Sequence, residues 1–273
     1  MLDIERIRRE PEVIRRALGR RGEEEFSLEL ILDLDVRRRE LVSEGDNLRE
    51  RRNEASKEIG RMKQKPADRI QEMRDVGDRI KVVEDEVREV EARLRDRLLW
   101  LPNIPLDDVP DGQGASDNVE VRSYGTIPQF SFTPLPHWDL AENLGILDLE
   151  RGAKISGSRF FVLKGAGARL QRALISWMLD LHTREHGYKE MVLPHLVRRN
   201  VMEGSGNLPK FADNLYHDEE DDLWLIPTAE VPLTNLYRDE ILDPGTLPLH
   251  LVAHTLCFRR EKAAAGKDTR GIK

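Results

Sequence analysis

Between Ser27 and about Gln64, apolar residues return at every seventh position: Leu34, Leu41, Leu48, Ala55 and Met62. Ile31 and Ile59 supply part of a second seam position, the residues between are mostly Arg, Glu, Asp and Lys, and proline is absent. After Pro66 a second run places Ile70, Met73, Val76, Ile80, Val83, Val87, Val90, Leu94 and Leu98 at alternating steps of three and four. This is the apolar stripe of a coiled coil. Each helix needs a partner for its stripe, so the short break at Lys65-Pro66 predicts an antiparallel hairpin. Proline suits the first turn of the returning helix, where its missing donor costs nothing. At 1.5 Å per residue each arm would run on the order of 50 Å. Ahead of it, Leu2 to Leu18 reads as one or two short helices, with Pro11 near a start and Gly19 and Gly22 at the end.

The pattern changes at Trp100-Leu101-Pro102-Asn103-Ile104-Pro105, where helical periodicity stops and prolines appear, and Asp111-Gly112-Gln113-Gly114 adds turn chemistry. The reading is therefore a helical arm over residues 1–102 and a second domain over 103–273. In the second, β-like runs (Phe160 to Leu163, Met191 to Leu193, Leu223 to Ile226, Leu249 to Val252, His254 to Phe258) alternate with helices. The clearest helix carries Leu170, Leu174, Trp177, Met178 and Leu181 on one face and closes at Gly187. The expected class is α+β with a mainly antiparallel sheet, and no repeat of solenoid period is visible.

Composition agrees with a projecting arm: 35% of the 273 residues are charged against 39% hydrophobic, high for one compact globule. The net charge of −7 argues against nonspecific coating of nucleic acid, though not against a local basic surface. Cys257 is the single cysteine, which excludes an internal disulfide or a multi-cysteine zinc site. No apolar run approaches the roughly 18 residues of a membrane span, and Met1-Leu2-Asp3-Ile4-Glu5 does not open a signal peptide. The expected setting is cytoplasmic.

Candidate chemistry is scattered. Basic residues gather toward the arm tip (Arg49, Arg51, Arg52, Lys57, Arg61, Lys63, Lys65, Arg69), which fits either a solvated scaffold helix or an arm that follows an RNA backbone. Lys164-Gly165-Ala166-Gly167-Ala168 lacks the Gly-Lys-Ser/Thr ending of a phosphate loop and the third glycine of a dinucleotide fingerprint, and reads as a tight strand-to-helix turn. His182 and His186 stand four apart without a zincin motif and read as helix-end residues. Thr228-Ala229-Glu230 follows an apolar strand and Pro227; in extended backbone Thr228 and Glu230 share a side, which suits an ammonium and a small polar ligand, while a helix cap is equally open. His254 to Glu261 is an apolar strand ending in Arg-x-Glu, so Arg259 and Glu261 share a face and fit either a phosphate site or an ion pair.

Taken in order, these pieces resemble the seryl-tRNA synthetase (serine–tRNA ligase) family of class II aminoacyl-tRNA synthetases. The resemblance rests on the two-helix arm, Pro136-His137-Trp138-Asp139-Leu140, Ser156-Gly157-Ser158-Arg159-Phe160, Gly206-Asn207-Leu208-Pro209-Lys210-Phe211 and Ile226 through Asn235. Gly187 through Pro194 is similar to class II motif 1, and Cys257-Phe258-Arg259-x-Glu261 with Asp268-Thr269-Arg270-Gly271 is similar to motif 2. Single fragments are weak; so many in order are specific. The resemblance implies an antiparallel-sheet catalytic domain, a homodimer through the motif 1 region, and a two-step reaction. ATP with Mg2+ converts L-serine to seryl-adenylate, and the seryl group then passes to serine tRNA. It implies that Thr228, Ala229 and Glu230 line the serine pocket, that Arg259, Arg260 and Glu261 bind ATP, with Arg259 and Glu261 catalytic, and that Arg49, Arg52, Arg61, Lys63 and Lys65 meet the tRNA's long variable arm. Two departures stand out. Lys262-Ala263-Ala264-Ala265 replaces the family's usual Ala-Gly-Ser, and Lys273 falls on the return limb of motif 2. The catalytic domain is therefore expected to be incomplete, with motif 3 beyond it and no serine activation by this stretch alone. A non-catalytic tRNA-binding or coiled-coil interaction protein is the alternative, but such a module has no use for Thr228, Glu230, Arg259 and Glu261.

Overall fold

The computed structural model describes residues 1–23, 26–62, 66–112 and 114–262. The chain forms two compact units, Met1–Ser123 and Tyr124–Lys273.

The first unit opens with α1 (Ile4–Arg9) and α2 (Pro11–Arg20). Asp3 caps α1 by accepting the Glu5 N–H at 2.7 Å, and Pro11 opens α2. Two 34-residue helices follow, α3 (Leu28–Arg61) and α4 (Ala67–Trp100), each about 50 Å long. Ser27 caps α3 through the Leu30 N–H. The helices run antiparallel, as pairs from Arg37–Glu86 (2.7 Å) through Arg79–Glu44 (2.7 Å) to Arg51–Glu72 show. These flanking pairs are largely exposed, so each is worth roughly 0–1 kcal/mol and they set register more than stability. The seam itself holds the arm. Ile31, Leu34 and Leu41 are buried against Val83, Val90, Leu94 and Leu98, and Ile7, Ile14 and Leu18 close the base. Burial is patchier outward: Leu48 is only half-buried, Ala55 and Val76 stay buried, and Met62 is exposed.

A polar group sits inside this base. Asp35, 1% exposed, accepts Arg8 Nε at 2.9 Å and Nη2 at 3.2 Å and Arg39 Nε at 3.1 Å. Burial by itself raises the Asp35 pKa; the guanidiniums of Arg8 and Arg39 outweigh it and hold the carboxyl below its ordinary value. This ion pair ties α1 to α3. Arg20 does the same for the segment after α4, donating to the Leu106 and Val109 carbonyls and pairing with Asp111.

In the second unit α5 (His137–Asn143) leads into β1 (Leu147–Asp148), α6 (Leu149–Ser156) and β2 (Val162–Leu163), with β1 and β2 antiparallel. Gly152 lets α6 touch the strand that follows: a Cβ there would lie 2.5 Å from the Phe160 carbonyl oxygen. Gly165, at φ 54°, turns the chain into α7 (Ala166–Arg184), so the glycine pair is the tight strand-to-helix turn. Then come β3 (Lys189–Glu190), β4 (Leu196–Arg198), α8 (Arg199–Gly204), β5 (His217–Asp218), β6 (Leu223–Leu225), α9 (Glu230–Asn235) and β7 (Leu251–Val252). Strands β4-β6-β5 form an antiparallel sheet over a core of Val197, Met202, Leu208, Leu215, Trp224, Ile226 and Val231. The β3–β7 pair is parallel.

Two strand expectations need correction. Met191 to Leu193 is not a strand, because the ladder with β7 stops after one further bond from the Met191 N–H to the Val252 carbonyl and Pro194 supplies no donor. His254 to Phe258 forms no strand ladder, with the Phe258 N–H donating to the Ile226 carbonyl at 2.9 Å. The amphipathic helix is present as α7, yet Leu170, Leu174, Trp177 and Met178 are exposed, covered by no described residue.

Candidate active site and arm

The serine-pocket candidates are placed by the core on either side of them. Ile226 and Val231 are both fully buried, which pins the four residues between. Thr228 and Glu230 do not share a side through extended backbone. Ala229 is already helical at φ −61°, ψ −24°, α9 begins at Glu230, and Thr228 Oγ1 faces the Glu230 N–H at 3.4 Å. Pro232 in the first turn of α9 favours that start. The helix-cap alternative therefore describes the backbone, and the cap presents the Glu230 carboxylate to solvent with no hydrogen bond or ion pair to a described residue.

Arg259 is brought to this cap. Its Nε donates to the Pro227 carbonyl at 3.0 Å, directly before Thr228, while the Phe258 N–H holds the Ile226 carbonyl. One of its five donors is thus fixed in the protein and both terminal amino groups remain for a ligand. Glu261 departs from the strand expectation: at φ 50° it breaks the alternation that would have set it on the Arg259 face. Its carbonyl accepts Arg159 Nη1 at 3.4 Å, and its side chain is exposed. Arg260 is turned elsewhere, its Nε on the Leu215 carbonyl at 2.8 Å and its guanidinium 4.4 Å from the Tyr216 ring centre. The structure thus ties Arg259 to Pro227, the residue before Thr228, and holds Arg260 against residues 214–216.

Histidines of this unit make structural contacts. His182 and His186 meet through their Nδ1 atoms at 3.0 Å at the end of α7. His217 stacks on Trp224 at 4.0 Å and donates to Asp222 at 2.9 Å. That bond, with lesser help from Trp224 and Arg199, holds Asp222 below the ordinary carboxylate value.

On the arm, Arg49 is neutralised by Asp46 (2.9 Å) and Glu84 (3.0 Å), and Arg51 by Glu72. Arg52 and Arg61 are exposed and make no ion pair with a described residue. Lys63 and Lys65 lie outside the described residues, as do 263–273 and with them the second half of the motif 2 resemblance.

The geometry has counterparts. Residues 1–105 match the seryl-tRNA synthetase N-terminal domain, and residues 211–273 match the tRNA synthetase class II core domain (G, H, P, S and T). The class is therefore a class II aminoacyl-tRNA synthetase core behind a two-helix arm. Serine–tRNA ligases from Thermomicrobium roseum and Herpetosiphon aurantiacus are 56% and 51% identical over all of this chain, covering 62% and 65% of their own lengths. Seryl-tRNA synthetase from Pyrococcus horikoshii, solved with ATP, superimposes with TM-score 0.86 at 38% identity over 99% of this chain and 66% of its own. The Naegleria fowleri enzyme, solved with AMP, gives 0.80 at 28% identity over 98% and 62%. The chain belongs to the seryl-tRNA synthetase family, and spans about 62–65% of the length of the curated relatives it matches.

Proposed function

We propose that this chain carries the tRNA-binding arm and the first part of the catalytic core of a ligase that joins serine to its tRNA. The observation that carries the reading is the Arg259 Nε bond to the Pro227 carbonyl. It fixes the Arg259 guanidinium on Pro227, three residues before the exposed Glu230 carboxylate, and a substrate with one anionic and one ammonium group needs a cation and a carboxylate of this kind. Glu230 meets the serine ammonium, with Thr228 and Ala229 lining the same pocket. Arg259 holds the α-phosphate of ATP while the serine carboxylate attacks phosphorus in line and pyrophosphate leaves. The seryl group then passes to a ribose hydroxyl at the tRNA 3′ end and AMP departs. Such catalysis is chiefly placement and charge stabilisation. Serine is selected over alanine because a site built to bind a hydroxyl leaves a polar group unpaired when that hydroxyl is missing.

Glu261 helps seat the nucleotide. The described residues hold no cluster of three metal-ligating side chains. Mg2+ commonly takes one or two carboxylates together with phosphate oxygens and water, so it enters on ATP, with the exposed Glu261 carboxylate available to it. Arg52 and Arg61 present the free charge of the arm to the tRNA backbone. The enzyme works as a homodimer joined through residues 187–194, in the cytoplasm. Charging of total tRNA with labelled serine by the product of the complete reading frame tests the proposal. Serine acceptance confined to serine tRNA supports it; binding of tRNA without charging supports an interaction module instead.

A further inference from the structure

Arg260 directly follows the residue on which the proposed chemistry turns, yet faces the other way. Its backbone N–H donates to the Asn214 carbonyl at 2.9 Å and its Nε to the Leu215 carbonyl at 2.8 Å. Its guanidinium lies over the Tyr216 ring at 4.4 Å. Two residues on, the Lys262 N–H donates to Asn214 Oδ1 at 3.1 Å. The gripping segment is itself immobile, because Leu215 between Asn214 and Tyr216 is buried in the core of this unit. Across the chain, Phe258 and Arg259 bond to the carbonyls of Ile226 and Pro227. The stretch 258–262 is thus suspended between two fixed segments without belonging to a regular ladder. Arg260 is held at both its backbone N–H and its side chain, so fixing Arg260 restrains the adjoining backbone that carries Arg259.

We propose that Arg260 is a positioning residue for adenylate formation, acting through Arg259 rather than touching ATP. This rests on the serine-activation reading above. A guanidinium that must meet the α-phosphate in one plane loses rate steeply when its backbone shifts, since misplacement on the order of 1 Å costs about 100-fold in comparable cases.

The test uses the product of the complete reading frame, with serine-dependent ATP–pyrophosphate exchange as one readout. Arg260→Gln lowers kcat about 10-fold or more, and the Michaelis constant for ATP moves less. Tyr216→Leu, which removes the ring under the Arg260 guanidinium, lowers kcat in the same direction, while Tyr216→Phe keeps the ring and the rate. The Arg260→Gln/Tyr216→Leu double variant is little worse than the poorer single one, as two halves of one clamp must be. The second readout is amide hydrogen exchange on the 273-residue chain, where Arg260→Gln and Tyr216→Leu each speed exchange at Phe258 and Arg260. An unchanged rate in Tyr216→Leu together with a raised Michaelis constant for ATP in Arg260→Gln would make Arg260 a direct ligand and overturn the inference. Unchanged amide protection in both variants overturns it as well. A wild-type enzyme inert toward serine overturns the activation reading separately, while the amide readout still decides whether the clamp exists.

Discussion

Replacing Asp35 with asparagine removes one charge from the base of the arm while keeping the side chain's volume. Asp35 accepts three hydrogen bonds from Arg8 and Arg39, and Arg38 approaches at 3.5 Å. Bonds to a charged partner net roughly 1.5–3 kcal/mol each. Arg8 and Arg39 are themselves 37% and 48% exposed, so water takes up much of what they lose and the sum does not apply. Asp35→Asn should therefore cost about 2–3 kcal/mol at pH 7, below the roughly 3–5 kcal/mol of a fully buried pair, or roughly 30–150-fold in the opening equilibrium of α1 against α3. Native-state hydrogen exchange at the amides of Ile7 and its neighbours on the 273-residue chain reads that opening directly. The pH dependence gives an independent check. The folded carboxyl is held below its ordinary value, so its contribution is present above the ordinary carboxyl range and disappears as pH falls through the folded value. The gap between wild type and variant should accordingly narrow below about pH 4, which melting followed by circular dichroism from pH 7 to 3 would trace. Equal opening in the two proteins at pH 7, or a deficit that ignores pH, would show that the Asp35 carboxylate does not hold α1 on α3.

Gly152→Ala drives a methyl to 2.5 Å from the Phe160 carbonyl oxygen and the Phe161 Cα, and because both atoms are backbone the cost should be about 1–3 kcal/mol; a melting temperature unchanged from wild type would contradict it. Arg52→Gln and Arg61→Gln should each weaken tRNA binding and reduce the slope of log affinity against log salt by about one, whereas Arg49→Gln, already neutralised by Asp46 and Glu84, should change that slope little. Filter binding across a salt series separates these outcomes.

The arm was legible because a seven-residue repeat has one economical solution, and Leu34, Leu41, Val83 and Leu94 are buried where the stripe placed them. Asp35 was not legible: beside a seam leucine it reads as one more solvated charge until α1 folds back with Arg8. Arg259 was readable as a cation at the end of an apolar run, but the bond that aims it goes to a carbonyl 32 residues earlier, which no local pattern reports. Alternation failed at Glu261 and at Thr228–Glu230 for one reason. Both depend on extended backbone, and the chain turns at each, through a left-handed residue in one case and a helix start in the other. Arg260 reads as an ATP ligand only through the resemblance; its partners on residues 214–216 lie in a segment with no motif of its own.

The proposed activation of serine depends on the Thr228–Glu230 segment and Arg259 together. Pyrophosphate exchange by the product of the complete reading frame, run with serine, alanine, glycine and threonine and repeated with Arg259→Ala, tests it most directly. Exchange is expected with serine, at least 100-fold less with alanine because a hydroxyl partner is left unsatisfied, and with a loss of about 100-fold or more in the Arg259 variant. Serine exchange that survives Arg259→Ala intact, or alanine exchange equal to serine, would contradict it.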